Sequence, residues 1–424
     1  MQNNKLPVIV IGGGPVGFAA AAHLSKRKIP FLLLEAGKTV GSNFLSWGHI
    51  RVFSQWKYNI DKVAEELLLT TNWKSPNKET LPTGKELVDN YFNPLANHPL
   101  LKPFIYLNSK VVSVGRKGLD KMKTANRNEK PFVVKVETNG TIKYYEAKAI
   151  IDTSGTWNQP NPIGSGGVYA QGEVENKSHI FYGIPNVKAN YLDRYKNKSV
   201  VVVGSGHSAT NVLLDLADIQ KQYPKTKLNW ILRKNQIADV YGGKENDALE
   251  ARGALGIRIE ELVESGKLHV FTPFHILKLS KLNGKIAIEG ELNGKTKTIA
   301  QIDEIISNTG SRPNLEMIRE IRTDLDAALE SVFDLADLID PNIHSCGTVR
   351  PHGELELRHP EKDFYIAGSK SYGRAPTFLM ATGYEQVRSI IAHLDGDFEA
   401  ATKVELDLPQ TGVCSSDGAS VACC

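Results

Sequence analysis

The sequence predicts an α/β fold made of two parallel-sheet domains, one of which is inserted into the other. A short apolar strand, a glycine-rich turn, a helix and a second strand follow one another near the start of the chain, and the same order recurs about 190 residues later. The composition agrees with this fold, because 41% hydrophobic and 23% charged residues in a chain of 424 residues are usual for a globular protein of two or three domains.

The first unit places three glycines directly after an apolar strand at 8–11. Gly12, Gly14 and Gly17 form the pattern GxGxxG, in which the first glycine makes the turn, the second lets the backbone approach a pyrophosphate and the third lets helix and strand pack closely. Glu35 ends the next strand, where its carboxylate can accept hydrogen bonds from ribose hydroxyls. The pattern predicts a Rossmann-like dinucleotide site, and the alternative is a glycine-rich turn in a core without a ligand.

The second unit repeats the pattern with Gly204, Gly206 and Ala209, and alanine is an accepted variant of the third glycine. Its next strand ends in Arg233 and Lys234, where the first unit has an acid. A carboxylate at this position favours a free ribose hydroxyl, whereas a cation can pair with a 2′-phosphate. The two units therefore suggest FAD in the first and NADPH, in preference to NADH, in the second. The alternative for the two cations is a solvated basic turn.

The order of these patterns predicts a discontinuous domain. Residues 1–160 and 325–400 are expected to form the FAD-binding domain, and residues 161–324 the NADPH-binding domain inserted into it. A stretch rich in proline and glycine at 160–172 is interpreted as a linker. From 401 to 424 the chain becomes polar, and this segment is interpreted as a flexible tail that contains cysteines.

Charge and cysteine content argue against several classes of protein. The chain has 51 basic and 47 acidic residues, and a net charge of +4 is too balanced to predict nucleic-acid binding. Glycines interrupt the longest apolar stretch, so neither a membrane span nor a signal peptide is predicted, and we expect a cytoplasmic protein. The 4 cysteines have no CxxC or CxxxxC spacing, which argues against a dithiol redox centre, and no metal site is predicted.

Beyond the two nucleotide-binding patterns, the chain resembles the flavin-containing monooxygenases over nearly everything before its polar tail. The turn that ends in Gly155 and the turn at 309–310 are similar to that family's strand-ending motifs. Gly368 and Ser369 stand where the wider flavoprotein class has Gly-Asp, whose acid meets the ribityl chain. The resemblance therefore implies that Gly155, Gly368 and Ser369 lie at the flavin.

The motif that identifies this family, FxGxxxHxxx(F/Y), is present except for its histidine. Phe181, Gly183 and Tyr191 match the motif, and Val187 stands at the histidine position. Another family feature is an asparagine near the flavin, and Gln55 is the candidate equivalent in this chain. The alternative for Gln55 is a glutamine that only forms a hydrogen bond in the core or in a surface turn.

The cysteines near the C-terminus suggest a class of substrate. Cys414, Cys423 and Cys424 lie within the last eleven residues, and thiolates prefer soft ions such as trivalent arsenic. With this tail, the whole pattern is most similar to the flavoprotein monooxygenases associated with bacterial arsenic resistance. The alternative is a tail whose cysteines have no function.

The resemblance implies an enzyme that uses NADPH, FAD and O2 to insert oxygen into a soft heteroatom of a small molecule, with a trivalent organoarsenical as the candidate substrate. Two alternatives remain open. One is a flavin-dependent NAD(P)H reductase without oxygen insertion, and the other is a protein whose thiol tail binds a metalloid or senses redox state. No nucleic-acid partner is expected, and the sequence leaves open whether the protein is a homo-oligomer.

Overall fold

A computed structural model describes residues 6–247, 249–343 and 349–406 of the chain. These residues form two compact units. The first unit contains the described residues up to 159 together with 312–343 and 349–406, and the second contains the described residues of 160–311. The tail cysteines proposed for substrate capture lie outside the described residues.

Both units contain strands and helices. The strands are β1 (Val8–Ile11), β2 (Phe31–Leu34), β3 (Ile105–Tyr106), β4 (Ser109–Arg116), β5 (Phe132–Thr138), β6 (Thr141–Ala147), β7 (Ala149–Asp152), β8 (Ile180–Tyr182), β9 (Ser199–Val203), β10 (Lys227–Ile231), β11 (Leu268–Phe271), β12 (Phe274–Leu282), β13 (Lys285–Leu292), β14 (Lys295–Ile302), β15 (Glu304–Ser307) and β16 (Phe364–Ile366). The α-helices are α1 (Pro15–Lys26), α2 (Ser42–Ser46), α3 (Trp56–Asn59), α4 (Lys62–Leu69), α5 (Gly84–Leu87), α6 (Asn93–Asn97), α7 (Leu192–Tyr195), α8 (His207–Gln222), α9 (Glu250–Glu264), α10 (Ala336–Ile339), α11 (Met380–Leu394) and α12 (Phe398–Thr402). A π-helical turn covers Val88–Phe92, and 3-10 turns cover Lys102–Phe104, Arg127–Glu129, Lys177–His179, Ile237–Val240, Lys244–Asn246, Glu316–Ile318, Phe333–Leu335, Leu355–Leu357 and Gly368–Tyr372.

The first unit is built on a parallel sheet with the strand order β16-β7-β1-β2-β3. Strand β1 lies at its centre, and Val8, Ile9 and Val10 are fully buried there. Because β1 leads into a helix that covers one face of the sheet, its carboxyl end opens at the edge where parallel α/β sheets bind ligands. The predicted α/β fold with parallel sheets is confirmed.

A three-stranded antiparallel sheet, β4-β5-β6, also belongs to the first unit. The segment 312–324 belongs to this unit as well, although the sequence patterns predict it in the inserted domain. Ile318 and Ile321 explain the difference, because their side chains are buried in the hydrophobic core of the first unit. An apolar pair of this kind commits the segment to the core that it fills.

The second unit has a parallel sheet with the order β11-β10-β9-β15-β8 and an antiparallel sheet β12-β13-β14. The segment 160–172 is not an open linker, since it is packed against β12. Ser165 N–H donates to the Ile276 carbonyl over 3.1 Å, and Gln171 N–H donates to the Leu277 carbonyl over 3.0 Å. Ile163 of this segment is buried, and its apolar side chain holds the segment in place although the segment is rich in proline and glycine. In the described part of the chain, no helix has the length and apolar character needed to cross a membrane.

Candidate nucleotide-binding sites

The first glycine of each fingerprint is required by the conformation of its turn. Gly12 has φ +106° and Gly204 has φ +131°, which disfavours other residues. A Cβ atom at Gly12 would lie 2.9 Å from the carbonyl oxygen of Thr153. At Gly204 it would lie 2.2 Å from the carbonyl oxygen of Asn308. Each turn therefore runs directly against the backbone that follows the neighbouring strand of its sheet.

The second glycine of each fingerprint is not required by the protein itself. Gly14 and Gly206 are the N-caps of α1 and α8, with φ −92° and −85°, which any residue can adopt. A Cβ atom at either position would meet no protein atom within 4 Å. Neither helix has a side-chain cap, so backbone N–H groups of each first turn face this open space. Both turns therefore fit the phosphates of a dinucleotide.

The third position differs between the two fingerprints. A Cβ atom at Gly17 would lie 1.9 Å from the carbonyl oxygen of Gly12, so α1 crosses β1 with no room for a methyl group. Ala209, at the matching position of α8, is fully buried and keeps its methyl group. Helix α8 therefore tolerates the alanine variant that α1 excludes.

Glu35 lies beside the first glycine turn, as the sequence predicts. Its Oε2 accepts a hydrogen bond from Gly13 N–H over 2.6 Å, and its Oε1 accepts one from Gly37 N–H, also over 2.6 Å. These two bonds fix the carboxylate at the carboxyl end of β2, next to the open space at Gly14. Each carboxylate oxygen keeps a lone pair for a ribose hydroxyl.

Gly155 and Ser369 are brought together at the carboxyl ends of β7 and β16. Gly155 has φ +69°, and a Cβ atom there would lie 3.5 Å from Ser369 Oγ. Gly368 N–H donates to Gln386 Oε1 over 2.7 Å, which ties the turn after β16 to α11. These three predicted residues therefore share one sheet edge with the first fingerprint.

A buried polar chain behind Gly368 was not predicted from the sequence. Gln386 is fully buried, and its Nε2 lies 2.9 Å from Ser371 Oγ and 3.0 Å from His352 Nε2. Burial lowers the pKa of His352, so the neutral imidazole that accepts from this amide is the stable form. No sequence motif would have identified these hydrogen-bonded side chains, because they are distant from one another in sequence.

A buried ion pair is the second feature that sequence reasoning missed. Lys370 Nζ lies 2.7 Å from Asp152 Oδ2, and both side chains are almost completely excluded from solvent. Lys370 Nζ also lies 3.3 Å from Ser154 Oγ. The sequence gives one indication of this ion pair. Asp152 is an acid at the end of an otherwise apolar strand, and a buried acid is almost always paired with a cation.

The two cations of the second unit lie after β10, one strand away from Gly206. Arg233 is exposed and donates from Nη1 to the Ser165 carbonyl over 3.1 Å. Lys234 Nζ donates to the Asp239 carbonyl over 2.9 Å. Because β9 and β10 are adjacent and parallel, the fingerprint and these cations lie at the same edge of one sheet.

The monooxygenase-like motif keeps its aromatic frame within the second unit. The rings of Phe181 and Tyr191 meet edge to face with their centroids 5.0 Å apart. Gly183 N–H donates to the Ser307 carbonyl over 3.0 Å, which pins the motif to β15. Val187 is fully buried, so an ionisable side chain at this position would be placed in the core.

Gln55 is the N-cap residue of α3, and its Nε2 donates to the Glu79 carbonyl over 3.1 Å. Its proposed place near the flavin stays a prediction. The neighbouring Asn59 is fully buried and donates from Nδ2 to the carbonyls of Ser54 and Gln55 over 2.7 and 2.8 Å. Asn59 therefore fixes the turn that presents Gln55. Among the residues that the structure describes, no cluster of His, Cys, Asp or Glu could hold a metal ion.

Comparisons with known proteins agree with this geometry. A family model described as pyridine nucleotide-disulphide oxidoreductase matches residues 9–338. The ferredoxin–NADP reductase of Lactiplantibacillus plantarum is 24% identical over 389 residues, which cover 90% of this chain and 94% of that protein.

Two solved structures show the same fold. Bacillithiol disulfide reductase from Bacillus cereus has a TM-score of 0.68 at 18% identity, over 93% of this chain and 99% of that one. The ornithine N-hydroxylase of Kutzneria sp. 744, whose structure contains reduced FAD, NADP+ and L-ornithine, has a TM-score of 0.61 at 14% identity, over 93% of this chain and 100% of that one.

Taken together with the family match, the prediction of FAD and NADPH as cofactors is confirmed, and the chain is a flavin-dependent oxidoreductase.

Proposed function

This chain belongs to the pyridine nucleotide-disulphide oxidoreductase family, and we propose that it acts as an NADPH- and FAD-dependent monooxygenase on a soft heteroatom. In the balanced reaction, the substrate gains one oxygen atom of O2, the second atom leaves as water, and NADPH with one proton supplies the two electrons. The cofactors supply the electron transfer and the activation of oxygen, so the protein needs no nucleophile of its own.

We assign FAD to the first unit and NADPH to the second, from the residues at each turn. In the first unit, the N-terminus of α1 at Gly14 would face the pyrophosphate of FAD, and Glu35 would accept from a ribose. In the second unit, the N-terminus of α8 at Gly206 would face the pyrophosphate of NADPH, and Arg233 would pair with the 2′-phosphate.

The spacing of the cysteines favours oxygen insertion over disulphide reduction as the reaction of this protein. The first cysteine in the chain is Cys346, and the sequence has no CxxC or CxxxxC pair. A dithiol relay to a disulphide needs two thiols that can pair with each other beside the flavin. The sequence lacks both spacings, and O2 is an acceptor that needs no protein thiol.

A second candidate function is a reductase without oxygen insertion. Two observations favour it: the similarity to a ferredoxin–NADP reductase over 90% of the chain, and Val187 at the position of the motif histidine. If the protein is such a reductase, the electrons of NADPH pass through the flavin to an external acceptor.

Labelled oxygen distinguishes the two functions. The holoenzyme is given NADPH, 18O2 and an organic sulfide, whose sulfoxide does not exchange oxygen with water. A monooxygenase yields sulfoxide with one 18O atom per NADPH consumed. NADPH consumption with a quinone or ferredoxin as acceptor, and without labelled product, overturns the proposal in favour of the reductase.

The substrate class that we propose is a trivalent arsenical, captured by Cys414, Cys423 and Cys424. A tethered thiol site raises the concentration of a thiophilic substrate to about the millimolar range. Truncation after Gln410 should weaken turnover of low concentrations of trivalent arsenical and leave turnover of the sulfide unchanged. Cys346→Ser in the full chain is the control. Equal arsenical profiles for the full and truncated chains would remove arsenic as the preferred substrate.

A further inference from the structure

The buried pair of Lys370 and Asp152 connects two turns at the edge of the first unit's sheet. Asp152 ends β7, and Lys370 lies in the 3-10 turn that follows β16. These strands are parallel neighbours, with Ile366 opposite Asp152, and Ala367 N–H donates to the Asp152 carbonyl over 2.9 Å. The side-chain pair therefore adds a charged link beside the last backbone hydrogen bond between the two strands.

Ser154 places this pair next to the first fingerprint. Ser154 N–H donates to Asp152 Oδ1 over 3.0 Å, and Ser154 Oγ lies 3.3 Å from Lys370 Nζ. On its other side, the Cα atom of Ser154 lies only 2.9 Å from the position of a Cβ atom at Gly12. One residue thus separates the ion pair from the turn that faces the cofactor phosphates.

The charges of the pair cancel, and this matters at a site that binds an anion. An uncompensated carboxylate at Asp152 would repel a pyrophosphate held at the neighbouring turn, and the low dielectric of the interior would strengthen that repulsion. An uncompensated ammonium at Lys370 would attract the same pyrophosphate. The side chains of both residues are at most 1% exposed, so solvent screens neither charge well.

We propose that Lys370 is a positioning residue of the FAD site: it neutralises Asp152 and holds Ser154 against the turn that receives the pyrophosphate. This inference rests on the assignment of FAD to the first unit and does not depend on oxygen insertion. Its own stabilising effect on the fold is secondary, because a buried ion pair can often be replaced by uncharged groups at little cost.

The Kd for FAD, measured with apoprotein, tests the proposal because the two single variants should change it differently. Lys370→Met should raise the Kd for FAD by about tenfold or more, since it leaves an unpaired carboxylate near the phosphates. Asp152→Asn should leave the Kd unchanged or lower it. The double variant carries neither charge, so its Kd should lie between that of Lys370→Met and that of the wild type. Fluorescence titration at pH 8 measures all four proteins, with thermal unfolding of each apoprotein recorded beside it.

A second buried ionic group in the same unit is the control, and in it Glu361 binds both Arg116 and Arg127. Arg116 Nε lies 2.8 Å from Glu361 Oε1, and their side chains are at most 2% exposed. Arg116→Met with Glu361→Gln leaves buried Arg127 without its carboxylate, so it should lower the unfolding temperature and leave the Kd for FAD unchanged. Equal weakening of FAD binding by Lys370→Met and Asp152→Asn, or no change in either, overturns the positioning role. If Gly14→Val protein keeps its flavin, the assignment of FAD to the first unit fails instead.

Discussion

Adding a side chain at Gly14 should prevent cofactor binding without preventing folding. The backbone of Gly14 has φ −92°, and a Cβ atom there meets no protein atom within 4 Å. We expect Gly14→Val to fold but to purify without FAD, because the new side chain occupies the space of the pyrophosphate. The ratio of flavin to protein absorbance and the unfolding temperature of the apoprotein measure the two effects separately.

Gly206→Val is the reciprocal control, since Gly206 also faces open space with φ −85°. It should keep its FAD and lose reduction by NADPH, while dithionite still reduces the flavin. A Gly14→Val protein with full flavin would contradict the assignment of FAD to the first fingerprint.

Arg233 is expected to set the preference for NADPH over NADH. A charge-assisted bond from an exposed guanidinium to the 2′-phosphate is worth about 1.5–3 kcal/mol, so Arg233→Ala should raise the KM for NADPH by about tenfold or more. The KM for NADH should change little. Lys227→Ala, at the opposite end of β10, is the control. If both KM values rise equally in Arg233→Ala, the 2′-phosphate contact is wrong.

His359 gives the first unit a dependence of stability on pH. Burial lowers the pKa of His359 to about 4, against a smaller opposing effect of Asp324. The unfolded chain therefore binds this proton at higher pH than the folded chain, so stability is lost as the pH falls from about 6.5 towards 4, by up to ~3 kcal/mol.

Urea unfolding of the apoprotein between pH 7 and pH 4 measures this loss. His359→Phe should reduce the slope of stability against pH in that window. His269→Phe, which changes an exposed histidine on β11, should leave the slope as it is in the wild type. An unchanged slope in His359→Phe would show that other groups carry the acid sensitivity.

Among the elements, the first apolar strand could be predicted to the residue. Strand β1 has the bounds that the apolar run at 8–11 predicts, because a strand buried on both faces is marked by its whole sequence. Segment 160–172 was predicted less well, since its order depends on buried Ile163 and on bonds to a distant strand. No local signal in a Pro/Gly-rich stretch specifies such long-range pairing.

The packing of α1 against β1 gives the sharpest prediction for an element. Gly17→Ala would place a methyl group 1.9 Å from the Gly12 carbonyl, so α1 must move and the free energy of unfolding should fall by about 1–3 kcal/mol. Ala209→Gly in α8 is the matched control and should cost about 1–2 kcal/mol, through helix propensity and the loss of a buried methyl group. Denaturant unfolding of both variants checks this. A neutral Gly17→Ala would mean that the helix and strand have room to spare.

Charged pairs in the core could not be placed from the sequence. Lys370 and Asp152 are separated by more than two hundred residues, as are Arg116 and Glu361, and only the topology of the sheets brings them together. The fingerprints and Glu35 could be found because ligand chemistry fixes their spacing along the chain. Residues that support the site from behind carry no such spacing, so the structure was needed to find them.

For the molecule as a whole, the proposed function depends on what the reduced flavoprotein does with oxygen. The two units are the proposed sites of FAD and NADPH, and the sequence has no CxxC or CxxxxC pair to carry electrons away. Oxygen is therefore the proposed acceptor, and a soft heteroatom the proposed receiver of one oxygen atom.

Rapid-mixing spectroscopy tests this claim most directly. The holoenzyme is reduced by one equivalent of NADPH without oxygen and then mixed with aerated buffer, with and without an organic sulfide. A monooxygenase should show a transient absorbance distinct from the reduced and oxidised flavin spectra, and the sulfide should shorten its lifetime. Reoxidation by oxygen in one slow step, unaffected by the sulfide and much slower than reoxidation by a quinone, would contradict the account.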